Sequence, residues 1–440
     1  MEFNHSKALY ESAKESVPAG VHSNSRYRNP HPIYFKKGEG PWITDVDGNS
    51  YLDCIMGNGA IILGHNNPDF NERVSDYTTT GIVTGLETEL SIKAAEKFLT
   101  FVPTAEKVRY TNTGTEAIMH AMLMARTYTG KNDVAVVEGA FNGWHDAVLV
   151  STWPDLNKAG EKTSPNTLPG SPGLMEDAVN STLVIPFNDL EIAEQLLTEN
   201  KDRIAALILE PVMIDIGYIP AKREYLQGLR DICYRLNILL IFDELLTGFR
   251  VSPGGAQTLY GITPDLSTFG KAISNGYMLA AVAGRTDVFD TVTPGKGSCS
   301  FVGTYNGHQI SLAATMAFME MYEEKNVFQT LVDRTDALIA KFDQLAAKHK
   351  IPGRMQGRGG HFHWYFTDKE IGDYRDAAIN SDKKLYGEFI QELFKQGVYC
   401  SPNYLLHHAI SLAHTEEHIE ILVSRMDHSL AKALEVKTGS

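Results

Sequence analysis

Cysteine is scarce in this 440-residue chain, which has only Cys54, Cys233, Cys299 and Cys400. The four residues form no Cys-x-x-Cys pair and have no histidine near them at the spacing of metal ligands. A zinc site and a disulfide framework are therefore both disfavoured. We expect four reduced thiols, no bound metal and no catalysis by cysteine.

Long apolar runs and an excess of positive charge are also missing. No run reaches the roughly 20 residues that a membrane helix needs, and the polar segment 1–16 lacks the apolar core of a signal peptide. The 54 acidic residues outnumber the 40 lysines and arginines, and the resulting net charge of −14 repels nucleic-acid backbones. We expect a cytoplasmic protein whose partners are small molecules, not membranes or nucleic acids.

The pattern of apolar residues divides the chain into three parts, 1–56, 57–314 and 315–440. In the first part, residues 32–54 alternate apolar and polar side chains around two turns that contain glycine, which predicts a small antiparallel meander. In the second part, short apolar runs alternate with stretches of helical periodicity. This alternation predicts a large α/β domain with a mainly parallel sheet and helices on both faces.

The third part contains longer amphipathic helices, predicted at 326–348, 380–396 and 415–434. Together with the N-terminal segment, this part is expected to form a smaller α+β domain. A further segment, 153–180, is rich in Pro, Gly, Ser and Lys and lacks periodicity. A loop of this length is either disordered or functional, and we expect it to close over the site as a lid that excludes water.

Three features of the second part are suited to binding a cofactor. Gly114 and Thr115 follow the run VRYTN and open a helix, whose free N–H groups suit an anion, although the same pattern is an ordinary helix cap. Asp243 ends the run ILLIF at a sheet edge where ligands bind, although it could equally cap a helix or pair with a buried cation. Lys271 ends the run LSTFGK; when desolvated it is an amine nucleophile, and otherwise it is a solvated lysine.

Together, the three features fit one cofactor. Pyridoxal phosphate requires a phosphate site at a helix N-terminus, a carboxylate at the pyridinium nitrogen and a lysine at the aldehyde carbon. None of the three features would identify this cofactor alone. Their conjunction in one α/β part therefore predicts pyridoxal 5'-phosphate as the cofactor.

An ordered set of motifs strengthens this prediction: TNTGTEA, EGAFNGWHD, LILEPV, IFDELLTGFRV, STFGKAI and GTYNG. With these motifs the chain resembles the class III (ω-type) aminotransferases of fold type I, and within them the glutamate-1-semialdehyde aminomutase group. The resemblance extends from PAGVHSNSR to SLAHTEEHIE. It implies a seven-stranded sheet and a homodimer with two active sites at the subunit interface.

The resemblance also implies roles for particular residues. Lys271 would form the Schiff base with the cofactor, and Asp243 would face the pyridine nitrogen. Gly114 and Thr115 would bind the phosphate, together with a Thr304 supplied by the partner subunit.

Three more residues match cofactor-contacting positions of the family. Phe141 would stack on the pyridine ring, although the residue type alone suits an ordinary core aromatic equally well. Asn142 follows it, in a segment that reads Tyr-His-Gly in most of the aminomutases. Glu210 would lie at the cofactor edge, at the end of the strand that contains LILEPV.

On the substrate side the resemblance is looser. Arg26, with Ser23 beside it, matches a position that grips a substrate carboxylate in related enzymes, although the alternative is a surface arginine. Leu406 stands where the aminomutases have the glutamate of a Phe-Glu-Ala-Gly segment. A substrate-facing acid has thus become leucine.

We therefore expect a PLP-dependent aminotransferase that moves an amino group between an amino-bearing carboxylic acid and a keto acid. The loss of polar contacts at Phe141 and Leu406 argues against an aminomutase. The alternatives are a glutamate-1-semialdehyde 2,1-aminomutase or a related aminomutase or epimerase, which would use the same Lys271 and Asp243 on a single substrate. A binding protein with an inactive fold would be expected to have lost one of these two residues.

Overall fold

A computed structural model of the protein describes residues 1–79 and 81–438. In this part of the chain, the apolar runs of the middle segment form a seven-stranded sheet. In spatial order its strands are Lys107–Thr111, Ala280–Gly284, Leu266–Phe269, Leu239–Asp243, Ile204–Leu209, Asp133–Val137 and Thr182–Ile185. Ala280–Gly284 is antiparallel to both of its neighbours, and the other neighbouring strands are parallel. The predicted α/β fold with a mainly parallel sheet is confirmed.

Helices cover this central sheet on both faces. For this reason every residue of Ile204–Leu209 and Leu239–Asp243 is buried, and the sequence of these strands is apolar without alternation. The α-helices in chain order are Asn4–Ala13, Pro68–Tyr77, Glu89–Phe101, Gly114–Thr129, Glu176–Asn180, Leu190–Glu199, Arg223–Leu236, Ala256–Tyr260, Thr286–Phe289, Gln309–Glu324, Val327–His349, Tyr374–Asn380, Lys383–Lys395 and Glu416–Thr438. Among the described residues, none of the helices combines the length and the apolar character needed to cross a membrane.

The two ends of the chain share a second sheet. Phe35–Glu39, Trp42–Asp45 and Ser50–Asp53 form an antiparallel meander, as the alternating pattern predicts. Val398–Tyr399, from near the other end of the chain, pairs in parallel with Ser50–Asp53. The N-terminal and C-terminal segments are therefore parts of one structural unit.

A third, antiparallel sheet belongs to the C-terminal part of the chain. Its strands are Arg354–Arg358, His361–Tyr365 and His408–Ala409. The helix Gln309–Glu324 runs across the boundary that we expected between residues 314 and 315. The three-part division of the chain stays a prediction.

One buried arginine joins the second and third parts of the chain. The side chain of Arg250 is fully buried and donates hydrogen bonds to the carbonyl oxygens of Gly59 at 2.7 Å, Ile410 at 2.9 Å and Gly359 at 3.4 Å. Burial lowers its pKa to about 9. The guanidinium replaces its hydration shell with backbone carbonyls, and this fixes the C-terminal part and the backbone at Gly59 to the segment that contains Arg250.

The loop 153–180 is held against the C-terminal part of the chain. Lys162 Nζ lies 2.6 Å from Asp373 Oδ2, and the hydroxyl of Tyr374 donates to the carbonyl of Pro154 at 2.7 Å. Two short hairpin strands, at 160–161 and 164–165, pair within the loop. The loop is thus ordered by specific contacts, and its action as a lid stays a prediction.

The four cysteines are free thiols, as predicted. Cys54, Cys233 and Cys400 are buried, and Cys299 is partly exposed. Burial raises the pKa of the Cys233 thiol to about 12. These side chains therefore behave as small apolar residues of the core.

Candidate active site

The predicted cofactor residues gather at one edge of the central sheet. Asp243 ends its strand and pairs in register with Thr268 of the neighbouring strand, three residues before Lys271. Gly114 lies just beyond the strand Lys107–Thr111, which runs in the same direction. Because the carboxyl ends of parallel strands meet at one edge, three residues that are far apart in sequence border one crevice.

Lys271 sits in a strained turn at this edge. Its φ of +49° lies in the left-handed region, which costs a non-glycine residue about 1–2 kcal/mol. The preceding Gly270 packs so closely that an added Cβ would come 2.5 Å from Leu245 Cδ2. The backbone is therefore strained at Lys271, and the preceding residue has to be glycine because no side chain fits there.

The carboxylate of Asp243 is buried and held on both oxygens. Asn142 Nδ2 donates to Oδ2 at 2.9 Å, and the backbone N–H of Leu245 donates to Oδ1 at 3.1 Å. Burial raises the pKa of Asp243, and these two donors and Lys271 oppose the rise. A cation bound beside Asp243 would favour its ionised form, and the protonated nitrogen of a pyridine ring is such a group.

Asn142 was predicted as a cofactor contact, and the structure gives it a defined partner. Its Oδ1 is buried and has no hydrogen-bond partner among the described residues. The amide orients Asp243 with one atom and leaves its acceptor free. An unsatisfied buried acceptor beside a buried carboxylate is a sign that a further group completes the site.

The anion cradle lies at the start of the helix Gly114–Thr129. The N-cap Thr113 accepts from the N–H of Glu116, and Thr115 Oγ1 accepts from the N–H of Trp144 at 3.1 Å. Gly143, with φ +103°, passes so close that a Cβ would lie 2.9 Å from Thr115 Oγ1. The segment that contains Phe141 and Asn142 is thereby fixed to the positive end of a 16-residue helix, which suits a phosphate.

Glu210 is buried at the same edge and braces the backbone. Its Oε2 accepts from the N–H of Ile214 at 3.2 Å and its Oε1 from the N–H of Phe141 at 3.4 Å. Burial, together with the nearby Asp215 and Asp243, raises the pKa of Glu210 well above its ordinary value. Glu210 thus fixes the position of Phe141, whose half-buried ring contacts Trp144 edge to face.

The other predicted residues are less closely associated. Arg26 is exposed, and the hydroxyl of Ser23 is within hydrogen-bond distance of that of Ser25, at 2.9 Å. Thr304 is also exposed. Leu406 is half-buried, and its carbonyl oxygen lies 3.1 Å from His363 Nδ1. The roles assigned to these four residues stay predictions.

The sequence analysis missed Asp215 and His407. Asp215 lies at the tip of the hairpin formed by Val212–Met213 and Ile219–Pro220, close enough to Lys271 for the ammonium to act on its pKa. His407 follows Leu406 and points its Nδ1 at Asp215 Oδ1. The one signal in the sequence was a single charged residue within the apolar run VMIDIGYI.

Comparison with known proteins agrees with this geometry. The sequence profile of the family Aminotransferase class-III matches residues 23–430. The chain belongs to the class III aminotransferases. It is 37% identical over 433 residues to a glutamate-1-semialdehyde 2,1-aminomutase of Methanocella arvoryzae, a match that covers 98% of this chain and 99% of that relative.

Solved structures of the family have the same fold. An omega-transaminase from Sphaerobacter thermophilus superposes with a TM-score of 0.93 at 31% identity, over 98% of both chains. A transaminase with PLP bound superposes with a TM-score of 0.88 at 28% identity, over 99% of both chains. This class III enzyme uses pyridoxal 5'-phosphate. The chemistry of Gly114, Asp243 and Lys271 suits its phosphate, ring nitrogen and aldehyde carbon, and these assignments stay predictions.

Proposed function

We propose that the enzyme exchanges an amino group and a carbonyl oxygen on adjacent carbons of one small carboxylate-bearing substrate, as glutamate-1-semialdehyde 2,1-aminomutases do. The observation that carries the proposal is the 37% identity to such an aminomutase over 98% of the chain. Other curated relatives of the same name are 35–37% identical. These relatives favour what the sequence analysis gave as the alternative to transamination.

The argument against an aminomutase depended on lost polar contacts at Phe141 and Leu406. Asp215 and His407, the residue after Leu406, supply an acid and an imidazole near Lys271. The glutamate that the aminomutases have at the position of Leu406 is absent. The replaced contacts therefore no longer exclude the reaction.

Transamination between two substrates is the second candidate. It is supported by the TM-score of 0.93 and 31% identity to an omega-transaminase, and by the apolar side chain at Leu406. A transaminase would release a keto product before the second substrate binds, so it has less need to retain one molecule through the whole cycle.

In either reaction the residues at the sheet edge have the same tasks. The bound cofactor supplies an electron-accepting ring that makes the substrate's C–H bond acidic. Asp243, oriented by Asn142, would hold a positive charge on the ring nitrogen, and the N–H groups at Gly114 and Thr115 would bind the phosphate. Lys271 would hold the aldehyde carbon, and its Nζ would be the group placed to move a proton to or from the substrate.

We also propose that Arg26, with Ser23, binds the substrate carboxylate and that two copies of the chain complete each other's sites. Arg26 is exposed and carries a guanidinium fork that matches a carboxylate. Val302 and Tyr305, on either side of Thr304, are 78% and 60% exposed. Large exposed side chains next to a predicted phosphate ligand suit a contact with a second subunit.

A single-substrate assay distinguishes the two reactions. The holoenzyme is given glutamate-1-semialdehyde alone, and the formation of 5-amino-4-oxopentanoate is measured. An aminomutase turns over with no second substrate, and Lys271→Ala should lower the rate of product formation by about 10²- to 10⁴-fold. Turnover that requires both an amino donor and a keto acid would replace the aminomutase proposal with the transaminase.

A further inference from the structure

Asp215 lies on a rigid support inside the site. The hydroxyl of Tyr365 donates to the carbonyl oxygens of Ile216 and Gly217, both at 2.9 Å. A Cβ at Gly217 would lie 2.1 Å from that hydroxyl, so the backbone at the tip of the hairpin packs directly against Tyr365. The side chain of Asp215 nevertheless remains 17% exposed, and it lies close enough to Lys271 for the lysine charge to lower its pKa.

His407 closes the other side of this space. Its side chain is 3% exposed, and its Nδ1 lies 3.5 Å from Asp215 Oδ1. Its ring packs edge to face against His361, with the centroids 4.8 Å apart. Both ring nitrogens of His407 lack a hydrogen-bond partner among the described residues. A buried imidazole that faces a carboxylate at 3.5 Å and makes no hydrogen bond indicates a site that a polar ligand completes.

The surroundings favour a negative charge on Asp215. Burial raises the pKa of Asp215, but the contact with His407 and the nearby ammonium of Lys271 outweigh it and leave the pKa below its ordinary value. The neighbouring Glu210, by contrast, has its pKa raised well above the usual range by burial and the two aspartates. Of these two neighbouring carboxyl groups, Asp215 is therefore the one that carries the charge.

We propose that Asp215, positioned by His407, binds the ammonium group of the substrate that is not attached to the cofactor. This inference rests on the proposed function, because exchange of an amine and a carbonyl on adjacent carbons passes through a molecule that carries two amines. The glutamate expected at position 406 in the aminomutases is leucine here. Asp215 supplies the missing carboxylate from a different segment, opposite the residue that follows Leu406.

The test compares two ligands that differ by one ammonium. The holoenzyme is titrated with 4,5-diaminopentanoate and with 5-aminopentanoate, and binding is followed by the change in the visible absorption band of the bound cofactor. Asp215→Asn keeps the shape of the side chain and removes its charge. We expect it to weaken binding of the diamine by about tenfold or more, the loss of one charge-assisted hydrogen bond, and to change binding of the monoamine less than twofold.

Two further variants separate charge from shape. Asp215→Glu retains the carboxylate and should recover part of the preference for the diamine, which a purely structural role would not predict. His407→Phe retains the ring packing on His361 and removes the nitrogen that contacts Asp215, and it should reduce the ratio of the two affinities less than Asp215→Asn does. The exposed pair Lys296–Asp290 provides a control, and Asp290→Asn should alter neither affinity.

The outcomes are distinct from those of the proposed function. Equal weakening of both ligands by Asp215→Asn, or no weakening of either, would overturn the ammonium site even if glutamate-1-semialdehyde is converted. Absence of turnover with glutamate-1-semialdehyde would overturn the proposed function, while the comparison of diamine and monoamine would still decide whether Asp215 recognises an ammonium group.

Discussion

The two sides of the active site are built in opposite ways. On the cofactor side, Asp243, Asn142 and Glu210 are buried and bonded to their neighbours; we call these three residues the cofactor floor. Where we propose that the substrate carboxylate binds, residues 22–27, which we call the N-terminal arm, are mostly exposed, with Ser23 partly buried. The side chains of the floor are held in place without a ligand. The charged side chain of the arm, Arg26, would be held in place only by a bound substrate or a second subunit. If Arg26 binds the substrate as we propose, the precision of the cofactor site and the grip on the substrate carboxylate depend on different parts of the chain.

The largest effect should come from the lysine at the edge of the floor. Lys271→Ala removes both the amine that binds the cofactor and the group placed to move a proton, so turnover should fall by about 10²- to 10⁴-fold. The visible band of the bound cofactor should be lost or displaced in the same variant, as an absorption spectrum would record. Lys296→Ala, an exposed lysine paired with Asp290, is the control. An unchanged spectrum in Lys271→Ala would show that Lys271 does not bind the cofactor.

Stability can be tested away from the floor and the arm, at the buried Arg250. Arg250→Met leaves the carbonyls of Gly59 and Ile410 buried without their donor, and it should reduce the free energy of unfolding by about 3–5 kcal/mol. Urea unfolding measures this change. Arg235→Met, at an arginine 58% exposed, should cost less than about 0.5 kcal/mol. Equal costs would mean that the buried carbonyl contacts of Arg250 do not stabilise the fold.

The arm should affect substrate binding without affecting stability. Arg26→Ala should raise KM for carboxylate substrates by about tenfold, the value of one charge-assisted contact, and leave Tm unchanged. Arg28, two residues further on, is the matched control because its guanidinium stacks 4.3 Å from the ring of Phe394. Arg28→Ala should lower Tm and leave the selectivity for carboxylates intact. An equal rise in KM for simple amines in Arg26→Ala would contradict the carboxylate contact.

The smallest effect is expected at Leu406. Leu406→Glu alone should change the conversion of glutamate-1-semialdehyde by less than about threefold, because Asp215 already supplies a carboxylate. In the Asp215→Asn background the same change should restore diamine binding. The double-mutant cycle measures this coupling. A large gain from Leu406→Glu in the wild-type chain would show that the leucine, and not Asp215, sets the choice of substrate.

The difference between floor and arm also explains which parts of the site the sequence could predict. Asp243 and Lys271 each follow an apolar run, and parallel strands bring such positions to one edge. The helices at 326–348 and 415–434 were found within a few residues, as Val327–His349 and Glu416–Thr438, because their apolar spacing is local. The contact of Asp215 with His407 joins residues 192 positions apart in two irregular turns, and no local pattern encodes it.

The parallel pairing of Val398–Tyr399 with Ser50–Asp53 also has a consequence during synthesis. The meander leaves the ribosome early, but its partner strand follows 345 residues later, counted from Asp53 to Val398. At a synthesis rate of about 5–20 residues per second, the edge of Ser50–Asp53 stays unpaired for about 20–70 s. The α/β part between them has time to fold first, so the newly made chain carries an open strand edge until Val398–Tyr399 has been synthesised.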